Sequence, residues 1–165
     1  MINCILRSSQ VRSTLVLMVA CGIFATSGAV FASEPAAIEF LNSGKVLPKG
    51  LPFSEAVRVN DTLYLSGQIG VAPGTLKLVP GGIKEESRQT LENIKRTLEA
   101  HGYLMQDLVK CTVMLADMSE WSTFNGVYST YFSDRYPARS TFGTNGLAFG
   151  ARVEVECIAV AARKR

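Results

Sequence analysis

Two stretches with helical spacing are set between runs of extended-type residues, and this alternation restricts the folds open to the chain more than any other feature. In the first stretch Ile83, Leu91, Ile94 and Leu98 recur on one face, and Gly102 follows as a C-terminal stop. In the second, Phe124, Val127, Tyr128 and Tyr131 sit at i, i+3, i+4 and i+7, after Ser119, a residue type that caps helix starts. That stripe is expected to pack the core rather than to stack bases. Short strands are predicted near Ile38–Leu41, at Ala56–Val59 and at Thr62–Leu65, the last two joined as a hairpin at Asn60-Asp61. Further strands are predicted over residues 109–116, 139–144 and 152–161, the last alternating Val153, Val155 and Cys157 against Glu154 and Glu156. Strands, helix, strand, helix, strands is the order of an α+β domain with a mixed β-sheet and two helices on one face. Apolar residues occur on both parities of the strands, so the face without helices calls for a cover, and an oligomer would supply it.

The first 32 residues stand apart from this pattern. Arg7 and Arg12 precede an apolar middle over residues 15–25, and Val30-Phe31-Ala32 ends in the manner of a signal-peptidase site. The apolar stretch is interrupted by Gly22, Thr26, Ser27 and Gly28, short of the roughly 18 to 20 residues that a membrane span requires. The expectation is a cleaved signal peptide over 1–32, a lead-in segment over 33–50 and the folded domain over 51–165. It places the product in the periplasm or medium, with no stable membrane insertion after cleavage. A retained anchor, or lipidation at Cys21 in Met18-Val19-Ala20-Cys21, is the alternative.

Composition then excludes several classes. The 165 residues are 47% hydrophobic and 19% charged, too apolar and too weakly charged for a disordered chain. Removing Arg7 and Arg12 with the signal takes the seventeen basic residues to fifteen, against fourteen acidic ones, a net charge of +1. No clustered basic footprint marks a nucleic-acid partner, and Arg163-Lys164-Arg165 reads as a solvated tail. At this length about 65 to 70% of the unfolded surface can be buried, enough for one core without disulfides. Cys111 and Cys157 lie in apolar runs and are expected as two buried thiols, a disulfide being the alternative if the geometry allows it.

Chemistry-bearing patterns are few. Cys-x-x-Cys spacing is absent and His101 is the single histidine, expected as a capping or surface residue at a helix end, so no metal site is indicated. Gly67-Gln68-Ile69-Gly70 and Pro80-Gly81-Gly82 lack the spacing of phosphate-binding loops and read as turns, and no organic cofactor is indicated. Arg139 is different in kind. It stands in Tyr136-Pro137-Ala138-Arg139-Ser140-Thr141 at the start of an apolar strand, where its fork of donors needs an acceptor. Spacing alone favours a structural ion pair with Glu154, and the other acceptor is the carboxylate of a small ligand. Glu154 poses the complementary question, since a carboxylate among apolar neighbours is either paired or tuned to handle protons.

Four ordered motifs carry a resemblance over most of the chain, from about Phe53 to Ala161. They are Pro52-Phe53-Ser54-Glu55-Ala56-Val57 with Leu65-Ser66-Gly67-Gln68-Ile69-Gly70, then Arg88-Gln89-Thr90-Leu91-Glu92-Asn93-Ile94, Pro137-Ala138-Arg139-Ser140 and Val153-Glu154-Val155-Glu156. The chain resembles the Rid (YjgF) family. The resemblance implies a chorismate-mutase-like fold and a homotrimer with three clefts between subunits. It also implies an enamine/imine deaminase of the 2-iminobutanoate/2-iminopropanoate type, which hydrolyses reactive 2-imino acids to 2-oxo acids and ammonia without a cofactor. By position, Arg139 is similar to the family's carboxylate-binding arginine and Glu154 to the acidic residue near the attacking water. Asn125 matches an asparagine at the cleft, and Ser66 and Gly67 match the loop whose backbone lines it. Phe53 stands where a tyrosine is common and Thr141 where a cysteine is common, which bears on substrate preference. The alternative from another class is a non-catalytic trimer, either a small-carboxylate-binding protein or a holdase.

Overall fold

A computed structural model describes residues 35–161; the expected signal segment and the basic C-terminal tail lie outside the described residues. Seven strands, β1 (Ile38–Leu41), β2 (Ala56–Val59), β3 (Thr62–Leu65), β4 (Gln68–Ile69), β5 (Leu108–Leu115), β6 (Ala138–Gly143) and β7 (Val153–Val160), form one sheet. Their order is β1-β2-β3-β7-β5-β6, with β4 also pairing with β7. Only β5 and β6 run parallel, so the sheet is mixed. That parallel pair needs a crossover, and helix α2 (Trp121–Tyr128) lies within it, on the same face as α1 (Gly82–Ala100).

Local chemistry explains the joints. The β2–β3 hairpin turns at Asn60, which takes a positive φ of 52° as asparagine tolerates, and its side chain accepts a hydrogen bond from the Ala37 amide. Helix α1 ends at His101 and Gly102 (φ 83°), with the Gly102 amide donating to Glu99 O and the Tyr103 amide to Leu98 O, a Schellman stop. The second helix starts differently from expectation. Ser119 does not cap it: the Asp117 carboxylate accepts from the Ser119 amide and opens a 3-10 turn over Met118–Glu120, and α2 begins after it.

On β7 the side chains of Val153, Val155, Cys157 and Ala159 point to the helices and are at most 3% exposed, leaving Glu154 and Glu156 on the other face. The core joins these to Leu63, Leu65, Val113 and Leu115 of the sheet, Leu91, Ile94 and Leu98 of α1, and Phe124, Val127 and Tyr128 of α2. Tyr131, predicted on the same stripe, packs half-buried against this core while its hydroxyl donates to Glu92 Oε1 at 3.0 Å, and Phe132 packs there as well, beside the Tyr128 ring. Helix α1 also buries polar residues that a search for apolar spacing passes over. Asn93 donates to Ile69 O and Val71 O, and a Cβ on Gly70 would lie 2.7 Å from Glu86 Cα, so helix and strand touch backbone to backbone. This contact fixes the segment that carries Ser66 and Gly67.

Two further expectations change. Cys111 and Cys157 are not separate thiols: they stand directly opposite each other on β5 and β7, both facing the core, and form a disulfide. His101 holds the predicted capping position but is no surface residue. Its side chain is 8% exposed and Nε2 lies 3.5 Å from Oε1 of the buried Glu55, whose carboxylate also accepts from the Ser43 amide. In the expected lead-in, β1 adds an edge strand, and Val46 and Leu47 enter a second apolar cluster with Ile69, Val71 and Ala151. The sheet face away from the helices exposes Ile38, Phe40, Tyr64, Phe142 and Val160 in the single chain.

Candidate functional site

The parallel pairing of β5 and β6 sets Arg139 beside Cys111, whose side chain faces the helices, so Arg139 also points towards α2. There its guanidinium lies 4.6 Å from the Tyr128 ring centroid and 5.7 Å from that of Phe124. It makes no hydrogen bond or ion pair with any described residue. A cavity of about 380 Å³ opens in front of it, lined by Asn125, Tyr128, Ser129, Tyr136, Pro137 and Arg139. Thr141 is two residues further along β6 on the same face, opposite Val113. Burial pushes the Tyr128 phenol up to about 12, against the opposing effect of Arg139, so this hydroxyl stays neutral in the physiological range.

The other candidate residues gather elsewhere. Glu154 lies on the open face of β7, opposite Met114 of β5 and Ile69 of β4. Gly67 allows the carboxylate its place, because a Cβ there would fall 1.9 Å from Glu154 Oε1. Ser66 is tied down beside it: its hydroxyl donates to Ser54 O at 2.6 Å and its amide to Glu55 O at 3.1 Å, and Phe53, next in the chain before Ser54, is exposed. Burial raises the Glu154 carboxyl above its ordinary value, and the negative charge of Glu156 on the same face adds to the effect. None of the ion pairs among the described residues involves Glu154.

The ion pair that spacing favoured, Arg139 with Glu154, is therefore absent. Arg139 shares its row with Cys111 and Cys157 on the helix face, whereas Glu154 shares its row with Met114 and Phe142 on the opposite face. Alternation along the strands separates them, and β5 lies between β6 and β7. The chain thus assembles two groups, Arg139 with Asn125 and Thr141, and Glu154 with Gly67 and the adjoining Ser66, while Phe53 is exposed two residues before the Glu55 carbonyl that Ser66 bonds. Sequence reading missed Tyr128 and Tyr136 as neighbours of Arg139. The available signal was an aromatic residue at every fourth position, 124, 128, 132 and 136, leading to the arginine. A larger hollow of about 650 Å³ opens beside the C-terminal end of α1, but no candidate residue lines it and its charges, Lys95 and Arg135 with Glu99 and Asp134, balance. Among the described residues no three His, Cys, Asp or Glu side chains gather as a metal site, and no helix is long and apolar enough to cross a membrane.

Residues 46–161 match the family described as Endoribonuclease L-PSP. A mouse (Mus musculus) protein named 2-iminobutanoate/2-iminopropanoate deaminase is 47% identical over 109 residues, 66% of this chain and 81% of that protein. The fold matches the crystal structure of RidA from the Antarctic bacterium Psychrobacter sp. with a TM-score of 0.70 at 36% identity, covering 74% of this chain and 99% of that one. It matches E. coli TdcF, solved with bound serine, with the same TM-score at 29% identity, over 75% and 99% of the two chains. Sequence and fold agree over one and the same domain, and the chain belongs to the Rid (YjgF) family.

Proposed function

We propose that the protein hydrolyses reactive 2-imino acids, such as 2-iminobutanoate and 2-iminopropanoate, to 2-oxo acids and ammonia. The reaction takes place in clefts between copies of the chain arranged as a homotrimer, where Arg139 of one copy meets Glu154 of the next. The observation that carries this reading is Arg139 itself, an arginine turned to a cavity with no acceptor from the described residues. Its planar fork suits a carboxylate held by two parallel hydrogen bonds. The separation of Arg139 from Glu154 within one chain and the uncovered apolar sheet face support an assembly that brings the two groups together. The signal-like N-terminus and the Cys111–Cys157 disulfide support export to an oxidising compartment, the periplasm or medium.

The chemistry asks for orientation more than for a strong nucleophile, because such imines hydrolyse slowly in water unaided. Arg139 fixes the substrate carboxylate and Asn125 offers its amide beside it. The substrate reacts as its protonated iminium: the Glu154 carboxylate takes a proton from a water whose oxygen bonds to the iminium carbon, and the C=N π pair moves to nitrogen, giving a neutral carbinolamine. Glu154 returns that proton to the nitrogen, the C–N bond breaks to release ammonia, and the hydroxyl proton passes to the Glu154 carboxylate as the C=O bond forms. The raised pKa of Glu154 makes its carboxylate a stronger base toward the attacking water and keeps more of its conjugate acid protonated until the nitrogen leaves. Phe53 brings an apolar ring where a hydroxyl would add a hydrogen bond, and Thr141 brings a hydroxyl to the Arg139 side, so both tune substrate preference. To test the reading, 2-iminobutanoate is generated with an amino-acid oxidase and the remaining imine is trapped with semicarbazide. Protein that lowers the trapped imine, with Arg139→Ala failing to do so, supports the deaminase. No difference between wild type, Arg139→Ala and buffer refutes it and leaves the non-catalytic carboxylate-binding or holdase trimer.

A further inference from the structure

Half-buried arginines are ordinarily held in place by an acceptor, and an acidic side chain is the usual one. Arg139 is held by ring faces instead. Tyr128 and Phe124, which are 4% and 0% exposed, are fixed in the core by the packing of α2, and Phe132 and Tyr136 extend the row, with successive centroids 5.5, 4.9 and 5.7 Å apart. A ring face attracts the guanidinium without using its N–H donors, which lie in the plane of the fork. A carboxylate in the same position would use those donors and compete with a ligand. The Tyr128 hydroxyl is buried and makes no hydrogen bond among the described residues, and it is the ring that faces the guanidinium.

We propose that Tyr128, backed by Phe124, is the positioning residue of Arg139: its ring aims the guanidinium into the cavity while leaving every donor free for the substrate carboxylate. This deepens the function proposed above and rests on its carboxylate-binding step. The ring carries the role, so phenylalanine must replace tyrosine without loss, and removal of the buried unpaired hydroxyl should cost the fold nothing.

The test compares wild type with Tyr128→Phe and Tyr128→Leu in two measurements. One is kcat and KM for 2-iminobutanoate. The other is the ratio of the affinities for 2-oxobutanoate and for its uncharged amide, 2-oxobutanamide, measured by calorimetry. Because the ratio compares two ligands on one sample, partial unfolding does not move it. In Tyr128→Leu, KM rises about tenfold with kcat nearly unchanged, and the acid-to-amide ratio falls by the same factor. Tyr128→Phe keeps the wild-type values. If Tyr128→Leu does not fold, Phe124→Leu, which removes the more distant ring, gives a fall of about threefold. An unchanged ratio in the leucine variants, or an equal loss in Tyr128→Phe, overturns the proposal while leaving the deaminase standing. A wild type that does not prefer acid to amide overturns both.

Discussion

The two faces of the sheet treat charge in opposite ways. On the helix face, Arg139 is given aromatic surface on one side, open space on the other, and no acceptor among the described residues. On the open face, Glu154 is given a glycine that lets it press against backbone, a second carboxylate nearby, and no cation among the described residues. Each group lacks what the other supplies, and strand alternation prevents their meeting within one chain. Both charges are left unpaired among the described residues, and in the function proposed above one serves the substrate carboxylate and the other the water, in a site completed by a second copy.

If the faces divide binding from chemistry, damage to each should leave a different kinetic mark. Arg139→Ala has the largest effect, lowering kcat/KM for 2-iminobutanoate by about a hundredfold or more, mainly through KM, with the melting temperature nearly unchanged. An equal loss for an uncharged imine would break the division. Next comes Gly67→Ala. The new methyl displaces the end of a flexible side chain, so stability changes little, whereas the displaced base lowers kcat on the order of tenfold to a hundredfold. Normal kcat in that variant would remove Glu154 from the reaction. The smallest effect is on the pH profile. Glu154 must be ionised to accept a proton, and burial and Glu156 both raise its pKa, so kcat/KM falls as pH drops through a value above the ordinary 4.5. Glu156→Gln removes the neighbouring negative charge and moves that limb to lower pH. A limb that stays where it was would assign it to another group.

Much of the fold was legible because its signals are local. The Asn60-Asp61 hairpin, the α1 stop at Gly102 and the alternation of β7 each depend on residues close in sequence, and all three form where expected. The failures are long-range. No spacing rule states that Cys111 and Cys157 share a register across 46 residues, or that Glu55, Ser43 and His101 close a buried polar cluster. The site divides in the same manner. The chemistry of Arg139 and Glu154 could be read from residue type and neighbours, but which face each occupies depends on the pairing of β5 with both β6 and β7. That pairing sets the two residues of the expected ion pair on opposite faces of the sheet. The role of Tyr128 was hidden for a further reason, since a ring that serves the core and a ring that serves an arginine look alike in a helical period.

If Arg139 and Glu154 act on one substrate from different copies of the chain, subunit mixing must restore activity to two inactive variants. Arg139→Ala and Glu154→Gln are each prepared inactive, unfolded together in equal amounts, refolded, and assayed by semicarbazide trapping. In randomly mixed oligomers about one cleft in four combines an intact arginine with an intact glutamate, so about a quarter of wild-type activity should return. Activity no higher than the sum of the two variants alone, in oligomers shown to be mixed, would contradict the account.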